Sequence, residues 1–215
     1  MKKLMILACA FLLVFGLTGV AHATTINYLY DVDGNNFTSP YSGVTVETFD
    51  ESSLLWNWTG NGQILTGDVT GVASAPFGVS EKDTTRYVSV PLNANNEPQS
   101  VNVSNLLGTY NYFGLWWGSV DTYNTLTFYN GSTEVASFGG TAITTPNAAN
   151  GDQTAPSTNL YVNFLNLPWF DSFMMTSTQY AFEADNIAIG RVPEPTTLLL
   201  LGFGLLGLVG LRRKE

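Results

Sequence analysis

Leu126-Thr127-Phe128-Tyr129-Asn130-Gly131-Ser132-Thr133-Glu134-Val135-Ala136-Ser137-Phe138 is the stretch that decides the fold class. A short strand-like run enters Asn130-Gly131, and the chain returns through Ser132 to Phe138. Asn-Gly supplies two positive φ angles, which predicts a type I′ turn whose twist matches paired antiparallel strands. A β-hairpin is the expected product, and the rest of the body reads outward from it.

Similar short segments recur on both sides: Thr25–Tyr30, Val44–Phe49, Tyr87–Val90, Val101–Val103, Tyr110–Trp117, Leu160–Phe164, Phe173–Ser177 and Phe182–Ile189. Clusters such as Asp33-Gly34-Asn35-Asn36 and Asn93-Ala94-Asn95-Asn96 separate them. Ten strands at this spacing predict an all-β body, a single β-sandwich of jelly-roll type. In the last segment Phe182 and Ala184 occupy even positions while Ile187 and Ile189 occupy odd ones. One face stays inward only if the strand gains a residue, so a bulge is expected at Asp185-Asn186. Thr144–Thr158, with Pro146, Asn147, Gly151 and Pro156, reads as a long surface loop.

Both ends of the chain have a different character. Lys2 and Lys3 precede an apolar run, Leu4–Val20, which ends at Ala21-His22-Ala23. That order is a secretory signal peptide over residues 1–23, with the secretion translocon and signal peptidase as its partners. Cys9 and His22 are the only cysteine and histidine, and both leave with it. The mature chain then lacks thiol and imidazole, which excludes Cys-His and Ser-His-Asp catalysis and the common zinc sites. The expected domain, residues 24–191, is large enough for one core. Three basic side chains, Lys82, Arg86 and Arg191, stand against fifteen acidic ones between Thr24 and Val192. Phosphate binding needs cations, so nucleic acid is excluded as a partner.

At the other end, Pro193-Glu194-Pro195 and two threonines precede an apolar run of 14 residues, Leu198–Leu211, and then Arg212-Arg213-Lys214. The prolines fix φ and remove backbone donors, so this stretch should resist both strand and helix. With the threonines the span reaches about 24 Å as a helix, short of a hydrocarbon core roughly 30 Å thick. Glycines 202, 204, 207 and 210 give it a small-residue face. Arg212, Arg213 and Lys214 should stop transfer and stay cytoplasmic.

This tail, residues 192–215, resembles the PEP-CTERM sorting signal of bacteria that make extracellular polymers. The resemblance rests on Pro193-Glu194-Pro195, the short Leu/Gly-rich span and Arg212-Arg213-Lys214. It implies recognition by an exosortase, a membrane-embedded transpeptidase, and then release or transfer to the surface. The catalytic cysteine would belong to the exosortase, with this chain as substrate. Two body segments also look like parts of exosortase-dependent surface proteins. One is Trp117-Gly118-Ser119 with Asp121 and Tyr123-Asn124; the other is Phe182-Glu183-Ala184-Asp185-Asn186-Ile187. That likeness implies no defined biochemical activity.

Two candidate sites stand out in the body. Trp116, Trp117 or Tyr123 can offer a flat face to a sugar ring, with Asp121 and Asn124 bonding its hydroxyls. The competing reading puts the aromatics in the core and has Asp121 and Asn124 close a turn. Adjacent Trp116 and Trp117 face opposite ways in a strand, so at most one is simply core. Asp31, Asp33 and Asn35 place oxygen ligands at alternate positions beside Gly34, as calcium loops do, and Asp185 or Glu183 can complete the set. The competing reading there is an Asp-Gly turn. No cofactor beyond this structural calcium is expected.

The expectation is an exported chain, held transiently in the inner membrane by its C-terminal span, then placed at the cell surface or in the extracellular matrix. Its role would be structural or adhesive in a polysaccharide-rich biofilm, and not enzymatic. Alternatives are a carbohydrate-binding module acting on the cell's own polysaccharide and a secreted glycosidase.

Overall fold

The computed structural model describes residues 23–29, 37–93, 97–143 and 149–192. Among these are twelve strands: β1 Thr25–Leu29, β2 Thr45–Glu47, β3 Asn57–Gly60, β4 Gln63–Thr66, β5 Arg86–Val90, β6 Gln99–Ser104, β7 Tyr112–Gly118, β8 Asn124–Asn130, β9 Thr133–Gly139, β10 Leu160–Leu165, β11 Ser172–Ser177 and β12 Phe182–Gly190. A single helical turn, α1, spans Gly140–Ile143. The chain is all-β, in two antiparallel sheets. One sheet has seven strands in the order β1-β10-β7-β12-β5-β4, with β2 also on β12; the other has five, β3-β6-β11-β8-β9. From β5 onward the chain alternates between sheets except at the β8–β9 hairpin. That gives β10-β7-β12-β5 facing β6-β11-β8-β9, the strand order of a jelly roll.

The sheets share one apolar core. Phe113, Leu115 and Trp117 point inward from β7 to meet Phe128 of β8 and Phe173 of β11. Ring centroids lie 5.0 Å apart for Phe113–Phe128 and 4.8 Å for Phe113–Phe173, both edge-on. Trp117 stacks on Phe182 at 4.2 Å and 7°. Such aromatic pairs add about 0.5–1.5 kcal/mol each beyond the area they bury. With no cysteine among the described residues, this packing is where stability comes from.

Strand β7 is buried along its whole length because its outer face is covered too. Residues 37–41 cross the back of the sheet: Phe37 stacks on Trp116 at 4.6 Å and 13°, and Ser39 Oγ lies 2.7 Å from Tyr112 Oη.

The bulge predicted from the phase change is present. Asp185 pairs with Trp116, but Ala188 pairs with Gly114, so β12 holds one extra residue there. Asn186 takes up the excess at φ 48°, a left-handed conformation that asparagine tolerates. Phe182, Ala184, Ile187 and Ile189 consequently all reach the core.

The β8–β9 hairpin also forms, one residue out of the expected phase. Asn130 pairs with Thr133, so Gly131 and Ser132 are the central pair. Only Gly131 has positive φ, at 58°, which is the glycine-first pattern of a type II′ turn rather than type I′. A register shift between Phe128 and Tyr129 absorbs the difference.

Strands β3 and β4 lie outside the ten expected. β3 is mostly exposed, β4 is mostly half-buried, and each is a sheet edge. Neither carries the alternation that burial on one face imposes.

Candidate functional site

The two ends of β12 carry different features. At its C-terminal end the chain stays fixed to the residue before Pro193. Val192 N donates to Asn111 Oδ1 at 2.9 Å, and Asn111 Nδ2 donates to the Val192 carbonyl at 2.9 Å. Arg191 Nε donates to the Thr109 carbonyl at 2.9 Å. Its guanidinium lies 6.0 Å from the centre of the Tyr110 ring and 5.9 Å from that of Trp169. Tyr110 and Phe170 exchange backbone hydrogen bonds of 2.8 and 2.9 Å, which joins the loops carrying those two rings. Pro193, Glu194, Pro195, Arg212, Arg213 and Lys214 lie outside the described residues, as do residues 1–22 of the expected signal peptide, 1–23, and the apolar run 198–211.

At the opposite end is a pocket of ≈ 530 Å³. Four segments wall it: Asp68–Ser74 after β4, Ser119–Tyr123 after β7, Asn150–Gln153, and Tyr180–Glu183 leading into β12. Glu183, 2 % exposed, is the crosspiece. Its Oε1 accepts from Ser74 N at 2.9 Å and its Oε2 from Ser119 Oγ at 2.8 Å. Burial pushes Glu183 up to about 7, against the pull of those two hydrogen bonds, and Asp121 adds to the rise. Asp121 is itself raised by burial, which its hydrogen bond with Tyr123 opposes.

The Tyr123 hydroxyl lies 2.5 Å from Asp121 Oδ2 and 2.8 Å from the Tyr180 carbonyl, so one proton serves two acceptors. Burial, then the bond to Asp121, raises its phenol above the ordinary tyrosine range. On the rim, Asp68 pairs with Lys82 at 2.7 Å. Burial works to raise Asp68, but hydrogen bonds from Lys82 and Ala75 outweigh it and hold the carboxyl low. Carboxylates, hydroxyls and amides line the cavity beside Tyr123 and Tyr180, a set that suits a hydroxyl-rich ligand.

Of the five residues expected to form a glycan site, Asp121 and Tyr123 reach this pocket. The other three are corrected. Trp117 lies in the core, and Trp116 is 2 % exposed beneath Phe37, so neither offers a free face. Asn124 is fully buried; its Nδ2 donates to the Ala181 carbonyl at 3.3 Å and its Oδ1 accepts from Ser177 Oγ at 2.9 Å. It is a brace between β8 and the β11–β12 turn.

Asp31, Asp33 and Asn35 lie outside the described residues. Asp185, named with them as a calcium ligand, is 1 % exposed on β12. Burial, followed by the charge of Asp83, pushes it up to about 9. Among the described residues no three His, Cys, Asp or Glu side chains converge as a metal site.

Glu183, Ser119 and Ser74 were not anticipated in this role. The available signal was Glu183 itself, a carboxyl in a closing strand that is otherwise small or apolar up to Ala184.

Three comparisons bear on the chain. No curated protein matches it. Among solved structures it is similar to the K2 cleaved adhesin domain of Lys-gingipain, at 14 % identity and a TM-score of 0.31, over 71 % of this chain and 100 % of that one. A likeness that low decides nothing about fold or function. The model of the PEP-CTERM protein-sorting motif matches residues 191–214. It begins at the Arg191 whose side chain is held by Thr109, and runs through the proline pair, the apolar span and the basic cluster. A motif of this class implies export, a membrane-anchored sorting signal and processing by an exosortase. The chain therefore carries a PEP-CTERM protein-sorting motif at residues 191–214, the signal that an exosortase processes.

Proposed function

We propose that the sorted β-sandwich is a structural or adhesive unit of a polysaccharide-rich surface layer, and that its end pocket takes a hydroxyl-rich ligand, the polysaccharide itself. The observation that carries this reading is the placement of pocket and tether at opposite ends of one strand. Glu183, the second residue of β12, lies at the pocket, and Val192 leaves for the sorting tail just past the strand's far end. From Phe182 to Gly190 the strand spans about 26 Å. A body tethered at one end thus presents the pocket away from its anchor, as a binding unit requires.

The reading is of binding and not catalysis. Both Glu183 oxygens are occupied in holding Ser74 and Ser119. Asp121 is engaged by Tyr123, and a Cβ added at Gly151 would come within 2.5 Å of Asp121 Oδ1, so that carboxylate has a neighbour pressed against it. A glycoside hydrolase instead needs one free proton donor and a second carboxylate open to the sugar or to water.

Pull-down on the producing cell's own polysaccharide is the test. Retention of the wild type, with loss for Tyr123→Ala, supports the reading. Equal retention of both would move binding elsewhere, and release of reducing ends on incubation would replace binding by hydrolysis.

A further inference from the structure

Five residues, Pro193 to Thr197, separate the clamped Val192 from the apolar run that starts at Leu198. Fully extended, that tether reaches at most about 20 Å. The headgroup layer takes roughly 5–8 Å of it. The end of the body that carries Arg191 must therefore stand close to the lipid surface for as long as the tail anchors it.

That end exposes apolar side chains. Leu107 is 86 % exposed and Trp169 49 %. Leu107 sits at φ 64°, a left-handed conformation that a bulky side chain rarely adopts, so the backbone presents it outward against its own preference. Both flank Arg191: a Cβ on Gly108, next to Leu107, would lie 3.4 Å from an Arg191 terminal nitrogen, and the Trp169 ring is 5.9 Å from its guanidinium. The combination has a chemistry. Tryptophan settles at membrane–water interfaces, and guanidinium bonds phosphate oxygens. Two exposed apolar side chains fall well short of the roughly 1,000 Å² that a specific protein partner needs, whereas lipid contact needs only that they insert.

We propose that Leu107, Trp169 and Arg191 form a lipid-contact face, on which the body rests against the phospholipid surface until the tail is processed. This rests on the tail being membrane-anchored before processing.

The full chain, purified from a host without exosortase, is reconstituted into vesicles of equal phosphatidylethanolamine and phosphatidylglycerol, with and without bromine-labelled acyl chains. The brominated lipid should quench tryptophan emission in the wild type. That quenching should be lost in Trp169→Phe and weakened in Leu107→Asp, whose exposed position tolerates the change. Flotation with the vesicles reports the anchor separately. Flotation without any difference in quenching between wild type and Trp169→Phe overturns the lipid face and leaves the anchor standing. Failure to float in all variants overturns the anchor and the proposal with it. Shielding of Trp169 that appears only after exosortase is co-reconstituted overturns the proposal in favour of a protein partner.

Discussion

Asn111 holds Val192 by both of its backbone groups, through two hydrogen bonds of 2.9 Å each. Asn111 is 7 % exposed and directly precedes β7, the central strand of the larger sheet. The last residue before Pro193 is thus wired to the centre of the fold. Any pull on the sorting tail is transmitted to a structured strand and not to a slack linker.

Replacing Asn111 by alanine should cost about 1–3 kcal/mol, because it leaves the Val192 amide and carbonyl without their partners at a half-buried position. Urea unfolding measures the loss. Asn111→Asp should recover part of it, since a carboxylate still accepts from Val192 N but repels the carbonyl. Equal stability for the wild type and Asn111→Ala would mean that the clamp contributes nothing.

Folding should weaken as pH rises through the neutral range. Burial holds Glu183 at about 7 against an ordinary 4.5, so between those values the folded protein keeps a proton that the unfolded chain has released. Stability from this group is therefore greatest below about pH 4.5, declines through the window and levels off above about 7. Asp185, pushed up to about 9, extends the decline. Glu183→Gln keeps both hydrogen bonds, accepting from Ser74 and donating to Ser119. It should flatten that part of the profile and exceed the wild type above pH 7 by up to roughly 3 kcal/mol. Thermal melts across the range test the sign; a wild type that gains stability between about pH 5 and 7 would contradict it.

Gly114→Ala should destabilise the outer layer by about 1–3 kcal/mol, as overpacking does. The added Cβ would lie 2.4 Å from Tyr112 Oη and 2.8 Å from Tyr161 Oη. Neither hydroxyl is free to retreat: one donates to Asn163 Oδ1 at 2.6 Å and the other to the Asn186 carbonyl at 2.9 Å. Chemical denaturation gives the loss. A red shift of tryptophan emission would report Trp116 emerging from beneath Phe37.

What the sequence reveals here depends on how local the cause is. The bulge in β12 is legible because a two-residue period has to slip between Ala184 and Ile187 if both are to face the core. The hairpin is legible as a hairpin, but its phase is not. Which two residues occupy the turn is settled by the pairing of Asn130 with Thr133 and by the shift at Phe128. Trp116 is the clearest miss, since its cover arrives from Phe37, far away in the chain. Only two of the five residues of the expected glycan constellation, Asp121 and Tyr123, meet at one pocket. Alternation places Trp116 on the outer face without telling whether that face is wet. The tail is read from the sequence alone because its order of prolines, apolar run and basic residues is itself the signal.

The most direct test of the account is replacement of Pro193-Glu194-Pro195 by three alanines, followed by fractionation and an immunoblot against the body in cells that carry an exosortase. The apolar run and basic cluster are unchanged, so insertion should survive. The account predicts that the variant accumulates at full length in the inner membrane while the wild type is processed and leaves for the surface. Arrival of the alanine variant at the surface in its normal processed form would contradict it, and would make residues 193–195 a spacer in front of an ordinary anchor.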